Sequence, residues 1–469
     1  MHRRQFLATT SAFTAATLIP LSGYAKTSAR HIEVGFGKAP LMGPDKPMTD
    51  VMTYDAQVPG PTLRIPQGQR TAFRLINNLD QPTSLHWHGI RLENAMDGVP
   101  GLTQDPIQPG STFDYSFVAP DAGTYWYHSH LKSWEQVGRG LYGPLIVEEL
   151  DPVNVDSDRV FVVDDWRLDD AGQIAENFGH MRDASHGGRL GNWLTVNGQT
   201  KPVFVVHPGE RIRLRCISTA NARIMAFSFP GVIASVVAID GQPLASSSAL
   251  TEPLLLAPAQ RADLIIDIPV DAPPELVINE VSTGEPLAAA IISVAGPPIR
   301  SKVKETGSLI LPPNPLPHSL SISDALSVDL RMEGGAMGQL REASYQGQMY
   351  DLRTLVMEKG KAWTFNGEAG TTVKPLFKSP LGRTVTINMI NDTRWPHAMH
   401  IHGHHFQVVE RNGAPITDAP WRDTELVEPG DSSRIAFVAD NPGKWLFHCH
   451  MLEHHMAGMG TWFEVGSPS

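Results

Sequence analysis

"GRTVTINMIND", residues 382–392, opens on glycine, alternates threonine or asparagine with apolar residues, and closes on Asn-Asp. This is the pattern of a strand with one side in a core, ending in a turn. The chain repeats it as "GQRTAFRLINN" at 68–78 and "GERIRLRCIS" at 209–218. Each copy lies inside a longer matched segment, 59–89, 200–231 and 373–403. A long-period repeat of strand-like segments indicates one β unit used three times. With 41 Gly and 38 Pro breaking up short runs, and little helical periodicity, the chain is expected to be all-β and of sandwich type. At 469 residues it is long enough for more than one core. The expected domains are 30–150, 151–300 and 320–469, with the Pro-rich "LPPNPLPHSL" at 311–320 as the linker before the third.

The three segments end differently: His86-Trp87-His88 in the first, Phe227-Ser228-Phe229 in the second, His400-Ile401-His402 in the third. A second element, "DAGTYWYHSH" at 121–130, returns as "NPGKWLFHCH" at 441–450 and adds His128/His130 and His448/His450. Residues at i and i+2 of a strand share a face, so each pair can offer two imidazoles to one pocket. A single His-x-His is weak evidence. Four pairs at matching places in two repeats are not scattered surface histidines and place the chemistry in the first and third domains.

Strand alternation turns Cys449 away from His448 and His450. Its natural companions are His397, His454 and Met459. Two imidazoles, a thiolate and a weak thioether suit a trigonal copper centre, whereas zinc has little use for methionine. A disulfide between Cys449 and the other cysteine, Cys216, would remove the thiolate and is not expected. Cys216, in "RIRLRCISTA", reads as an inert core residue.

His86-x-His88, His128-x-His130, His397-x-x-His400-x-His402 and His448-Cys449-His450-x-x-x-His454-x-x-x-x-Met459 resemble the four copper motifs of the multicopper oxidases, in particular the three-domain bacterial laccase-like enzymes. The resemblance spans essentially the whole chain after its leader. It implies three cupredoxin-like Greek-key β-sandwich domains and four copper ions. A type 1 copper would lie at His397, Cys449, His454 and Met459, and a type 2 copper at His86 and His400. The type 3 pair would take His88, His128 and His450 on one ion and His130, His402 and His448 on the other. The family oxidises one-electron donors at the type 1 copper and reduces O2 to water at the cluster.

The resemblance also points to Asp97 in "ENAMDGVPG" as the acidic residue that supplies protons near the cluster. One position departs from the pattern: His455 stands where related bacterial enzymes often carry glutamate, and an exposed turn histidine is expected there. Of His404 and His405, one is expected to face solvent and the other to pack. The glycine-rich "FGHMRDASHGGRLGNWLTVNG" at 178–198, with His180, Met181 and His186, reads as a surface loop. Proteins of this fold that have lost copper serve as binding or cell-division proteins, and twelve intact ligand positions argue against that class. A copper nitrite reductase does not require the eight cluster histidines.

Arg3-Arg4-Gln5-Phe6-Leu7 followed by an apolar stretch and "GYA" resembles a twin-arginine export signal over residues 1–25, implying a periplasmic protein. No later stretch reaches the roughly 20 apolar residues of a membrane span. The net charge is −11, and removal of Arg3 and Arg4 with the leader would leave −13, which disfavours nucleic acid and anionic lipid as partners. A monomer is expected. The partners expected are O2 with small aromatic reductants or Cu(I). Met332, Met337, Met349 and Met357 are too widely spaced to read as a Cu(I)-capturing insertion, so phenols and similar aromatics are the preferred reductants, with cuprous oxidation second.

Overall fold

The computed structural model describes residues 29–151, 153–302, 309–317 and 319–466; the leader-like segment 1–25 lies outside them. Among the described residues, strands form six sheets, two in each third of the chain. The fold is three cupredoxin-like β-sandwiches, one for each copy of the repeat, as the family resemblance implied. In the first, sheets of four strands each pack over Phe73, Trp87, Tyr115 and Tyr127. The second has sheets of six and five strands with its own core. In the third, the sheets have ten and five strands, and the core is continuous with that of the first.

The repeated strands occupy equivalent places: Arg70–Asn77, Arg211–Ser218 and Thr384–Asn391 each pair parallel with an early strand and antiparallel with a later one of their own unit. Arg211–Ser218 shows what alternation conceals. Its apolar residues fill the middle core, yet its arginines are buried too. Arg213 donates to Asp263 and to Glu149, and Arg215 to Asp158 and to Thr124 Oγ1, which joins the middle domain to the first. A polar strand face is solvated only when no other domain covers it.

The linker is anchored. Asn314 exchanges two 2.8 Å hydrogen bonds with the backbone of Ala122 and a third with Gln242 of the middle domain, and Leu311 is buried. No helix of the described residues is long and apolar enough to cross a membrane.

Candidate metal centre

The histidine pairs meet by strand register. His86 lies opposite His128 in the first domain, and His400 opposite His448 in the third. Three of the four pairs straddle a strand end: the strands stop at His128, Ile401 and Cys449, so His130, His402 and His450 lie just beyond. All eight imidazoles are buried. Ring nitrogens of His130, His402 and His448 lie within 4.8 Å of one another. The rings of His88, His128 and His450 are 5.0–5.8 Å apart between centroids.

Hydrogen bonds fix which nitrogen of most rings is free. His86 Nδ1 donates to Asp97 O at 2.7 Å, and His400 Nδ1 to Asp423 O at 3.0 Å. His128 and His448 each donate Nδ1 to the next residue's carbonyl, at 2.9 and 3.0 Å. The opposite nitrogens of His86, His128 and His400, Nδ1 of His88 and both nitrogens of His450 are buried with no partner. His402 and His448 turn their undonated Nε2 atoms toward each other at 3.1 Å. Burial, reinforced by neighbouring imidazoles, pushes the pKa of His88, His128, His130, His402, His448 and His450 well below the usual histidine value. These rings are therefore neutral at pH 7 and present lone pairs. Facing lone pairs and orphaned buried nitrogens are costly without a cation between them, so the site fits metal ions.

A second set lies on the other side of the strand Gly443–Cys449. Cys449 Sγ is 3.6 Å from His397 Nδ1 and 3.8 Å from His454 Nδ1, and those two nitrogens are 3.1 Å apart. His397 Nε2 meets Thr393 Oγ1 at 2.9 Å, and the threonine hydroxyl in turn donates to Asn391 Oδ1 at 2.7 Å. His454 Nε2 donates to His186 O at 2.6 Å. Both Nδ1 atoms are thus bare and converge on the sulfur. Met459 is fully buried, and its carbonyl accepts from Cys449 N at 3.1 Å. Burial raises the Cys449 thiol to about 12, so metal binding here must displace a proton. Cys216 is free, buried and remote in the middle core.

Multicopper oxidase family models match residues 39–151, 157–283 and 346–469. The chain is 31% identical to the multicopper oxidase MmcO of Mycobacterium tuberculosis over 452 residues, covering 88% of this chain and 83% of that protein. The chain belongs to the multicopper oxidase family. Its fold superimposes on the crystal structure of a multicopper oxidase from Pseudomonas thermotolerans with a TM-score of 0.79 at 31% identity, covering 93% of this chain and 99% of that one. It superimposes on Lac15 from a marine microbial metagenome with a TM-score of 0.75 at 37% identity, covering 93% and 100%. Membership of this family makes the protein an oxidoreductase and copper its metal.

Several surroundings of this multicopper oxidase's centre differ from the sequence expectation. His455 is not an exposed turn residue. It lies half-buried on the helix Leu452–Met456, its ring 4.3 Å from His448 and 5.6 Å from His130, and burial lowers its pKa to about 4. Neither His404 nor His405 faces solvent. His404 Nδ1 donates to His402 O among Phe437, Trp445 and Phe463, while His405 accepts from Gln242 of the middle domain. The middle domain thus reaches His405, whereas His404 packs within its own domain.

The 178–198 segment is not a plain surface loop either. Besides His186 O on His454, its Arg189 N donates to the buried Glu453 at 3.1 Å, and the ring of His186 lies 5.4 Å from that of Trp395. Met181 packs against the shared core, and His180 caps the short helix Met181–Ser185.

Asp97, singled out from the family pattern, is buried with Oδ2 3.0 Å from His402 Nδ1. Its counterpart, Asp423, escaped sequence reading. The two are arranged reciprocally: the carbonyl of Asp97 holds His86 while its carboxylate reaches His402 in the third domain, and the carbonyl of Asp423 holds His400 while its carboxylate reaches His88 in the first, at 3.3 Å. They differ in charge balance. Burial would raise the Asp423 pKa, but the Arg261 guanidinium outweighs it and holds the carboxyl well below the usual range. Asp97 Oδ1 is buried without a hydrogen-bond partner.

Proposed function

We propose that the protein is a laccase-like oxidase that couples one-electron oxidation of phenols and similar electron-rich aromatics to reduction of O2 to water in the periplasm. The observation that carries this reading is the shared strand: Cys449 faces one ligand set, while its peptide neighbours His448 and His450 belong to the other. His397, Cys449, His454 and Met459 would hold the type 1 copper, and His86 and His400 the type 2 copper. His88, His128 and His450 would hold one type 3 ion, and His130, His402 and His448 the other. Copper supplies one-electron chemistry at the thiolate site and multi-electron reduction of O2 at the cluster.

The chain's own groups prepare each step. Peptide bonds join the thiolate directly to imidazoles of both type 3 sets, which gives the shortest covalent path between the sites. His454 is sealed from solvent, so a reductant meets the segment that covers it, where the half-buried rings of His186 and Trp395 form an aromatic surface. Asp97 Oδ1 is the atom at which a proton can be held beside His86 and His402.

Cuprous oxidation is the second reading. Met337, Met349 and Met357 present thioethers to solvent, although they stand apart on a turn, a strand and a helix, while Met332 is fixed in the core. The deciding experiment is O2 consumption by the copper-loaded protein with a phenol, a dye-type one-electron donor and Cu(I) side by side. The aromatic donors are expected to give the higher kcat/KM; a preference for Cu(I) by orders of magnitude would overturn the laccase-like reading.

A further inference from the structure

The middle domain lends no imidazole to the cluster, yet one of its arginines ends there. Arg261 opens the strand Arg261–Asp267 and is fully buried. Its two Nη atoms donate to the two carboxylate oxygens of Asp423 at 2.8 and 2.6 Å. Nε donates at 3.2 Å to the carbonyl of Thr124, on the first-domain strand that ends at His128. One side chain thus touches all three domains.

Asp240, also of the middle domain, completes the grip. Its Oδ1 accepts from Arg261 N at 2.9 Å, and its Oδ2 from the backbone N–H groups of Asp423 and Thr424 at 3.3 and 3.2 Å. The pair presses directly on the first histidine motif. Gly89, the residue after His88, has φ +84°, and a Cβ there would collide with Arg261 Nη2, Asp423 Oδ2 and the Tyr125 ring. Only glycine leaves room for the clamp.

Asp423 stands between this clamp and two cluster rings. A carboxylate only accepts, so the 3.3 Å contact with Oδ1 places the proton of His88 on Nε2 and leaves Nδ1, buried and unpartnered, as the free lone pair. The Asp423 carbonyl does the same for His400, whose Nε2 is left free. Outer hydrogen bonds of this kind set the tautomer and ring direction of metal-ligating histidines, and their loss typically costs about 10–100-fold in metal affinity.

We propose that Arg261 is a positioning residue for the cluster: by clamping both oxygens of Asp423, the copper-free middle domain fixes the orientation of His88 and His400. This rests on the assignment of those histidines to the cluster. Copper stoichiometry and EPR of the unaltered protein, measured alongside, test that assignment separately.

The alternative is a plain interdomain ion pair, and Arg213 supplies the control. It is equally buried and bridges the first and middle domains through Glu149 and Asp263, but its hydrogen bonds reach no cluster histidine. Arg261→Lys keeps the charge and removes the two-pronged grip. It is expected to weaken cluster copper binding about 10–100-fold, lowering copper per chain and removing or reshaping the type 2 EPR signal, while the blue absorption from Cys449 persists. Arg213→Lys is expected to lower Tm without changing either signal.

Full copper content with an unchanged type 2 signal in Arg261→Lys would overturn the proposal. Loss of the blue absorption in step with cluster copper would do the same, because it would show general unfolding. If Arg261→Lys does not accumulate as folded protein, Asp423→Asn carries the test: selective loss of the type 2 signal supports the positioning role, and an unchanged signal overturns it.

Discussion

One strand position has two uses in this molecule. In the first and third domains it carries His86-x-His88 and His400-x-His402, facing His128 and His448 on the neighbouring strands. In the middle domain it carries Phe227-Ser228-Phe229; Phe227 is fully buried and meets Phe161 edge-on at 5.5 Å. The same fold position can thus end in a candidate ligand or in a core side chain, and the choice lies in the side chains rather than the topology. The middle domain's influence passes instead through residues outside that slot: Arg261 and Asp240 behind the cluster, and His186 and Arg189 behind the thiolate site.

The comparison breaks most sharply at Cys449. Cys449→Ser is expected to abolish the blue absorption and turnover while the eight cluster imidazoles still take up copper. Loading of the unaltered protein at pH 7 is expected to release about one more proton than loading of the variant, because the thiol otherwise titrates near 12. Loss of all copper in the variant would contradict the division into two ligand sets.

A smaller effect is expected at Asp97, whose free Oδ1 separates it from the clamped Asp423. Asp97→Asn should lower turnover with O2 by about 10²–10⁴-fold, with the blue absorption intact and still bleached by reductant. Unchanged turnover would remove Asp97 from proton supply. The mildest functional effect is expected in the middle domain: Phe227→Ala should cost about 3–5 kcal/mol of stability in thermal or denaturant unfolding. Its visible and EPR spectra should not change. Altered copper signals would show that the middle core, and not only Arg261, governs the cluster.

Much of this organisation was legible from one chain. The glycine-opened alternating runs identify strands because the pleat has a period of two. Repetition of "GRTVTINMIND", "GQRTAFRLINN" and "GERIRLRCIS" shows that the unit recurs. Alternation also turns Cys449 away from its flanking histidines. Harder to read were residues whose neighbours are distant in sequence. Asp423 lies 23 residues beyond His400 in "WRDTE", and nothing local marks it as the partner of His88, 335 residues earlier. The surroundings of His404, His405 and His455 were equally hidden: His404 packs under aromatic rings of its own domain, His405 meets Gln242 of the middle domain, and His455 lies against His448 and the first domain's His130.

What the sequence by itself determined is the repeated β unit, the set of candidate ligands and the faces on which they lie, since strand periodicity and residue chemistry are local properties. Only the tertiary structure decided that His88 and His402 each meet a carboxylate of another domain, that His186 covers His454, and that Arg261 clamps Asp423. Those features depend on hydrogen bonds and charge pairs formed when three separately patterned domains close on one another, and no local pattern encodes such contacts.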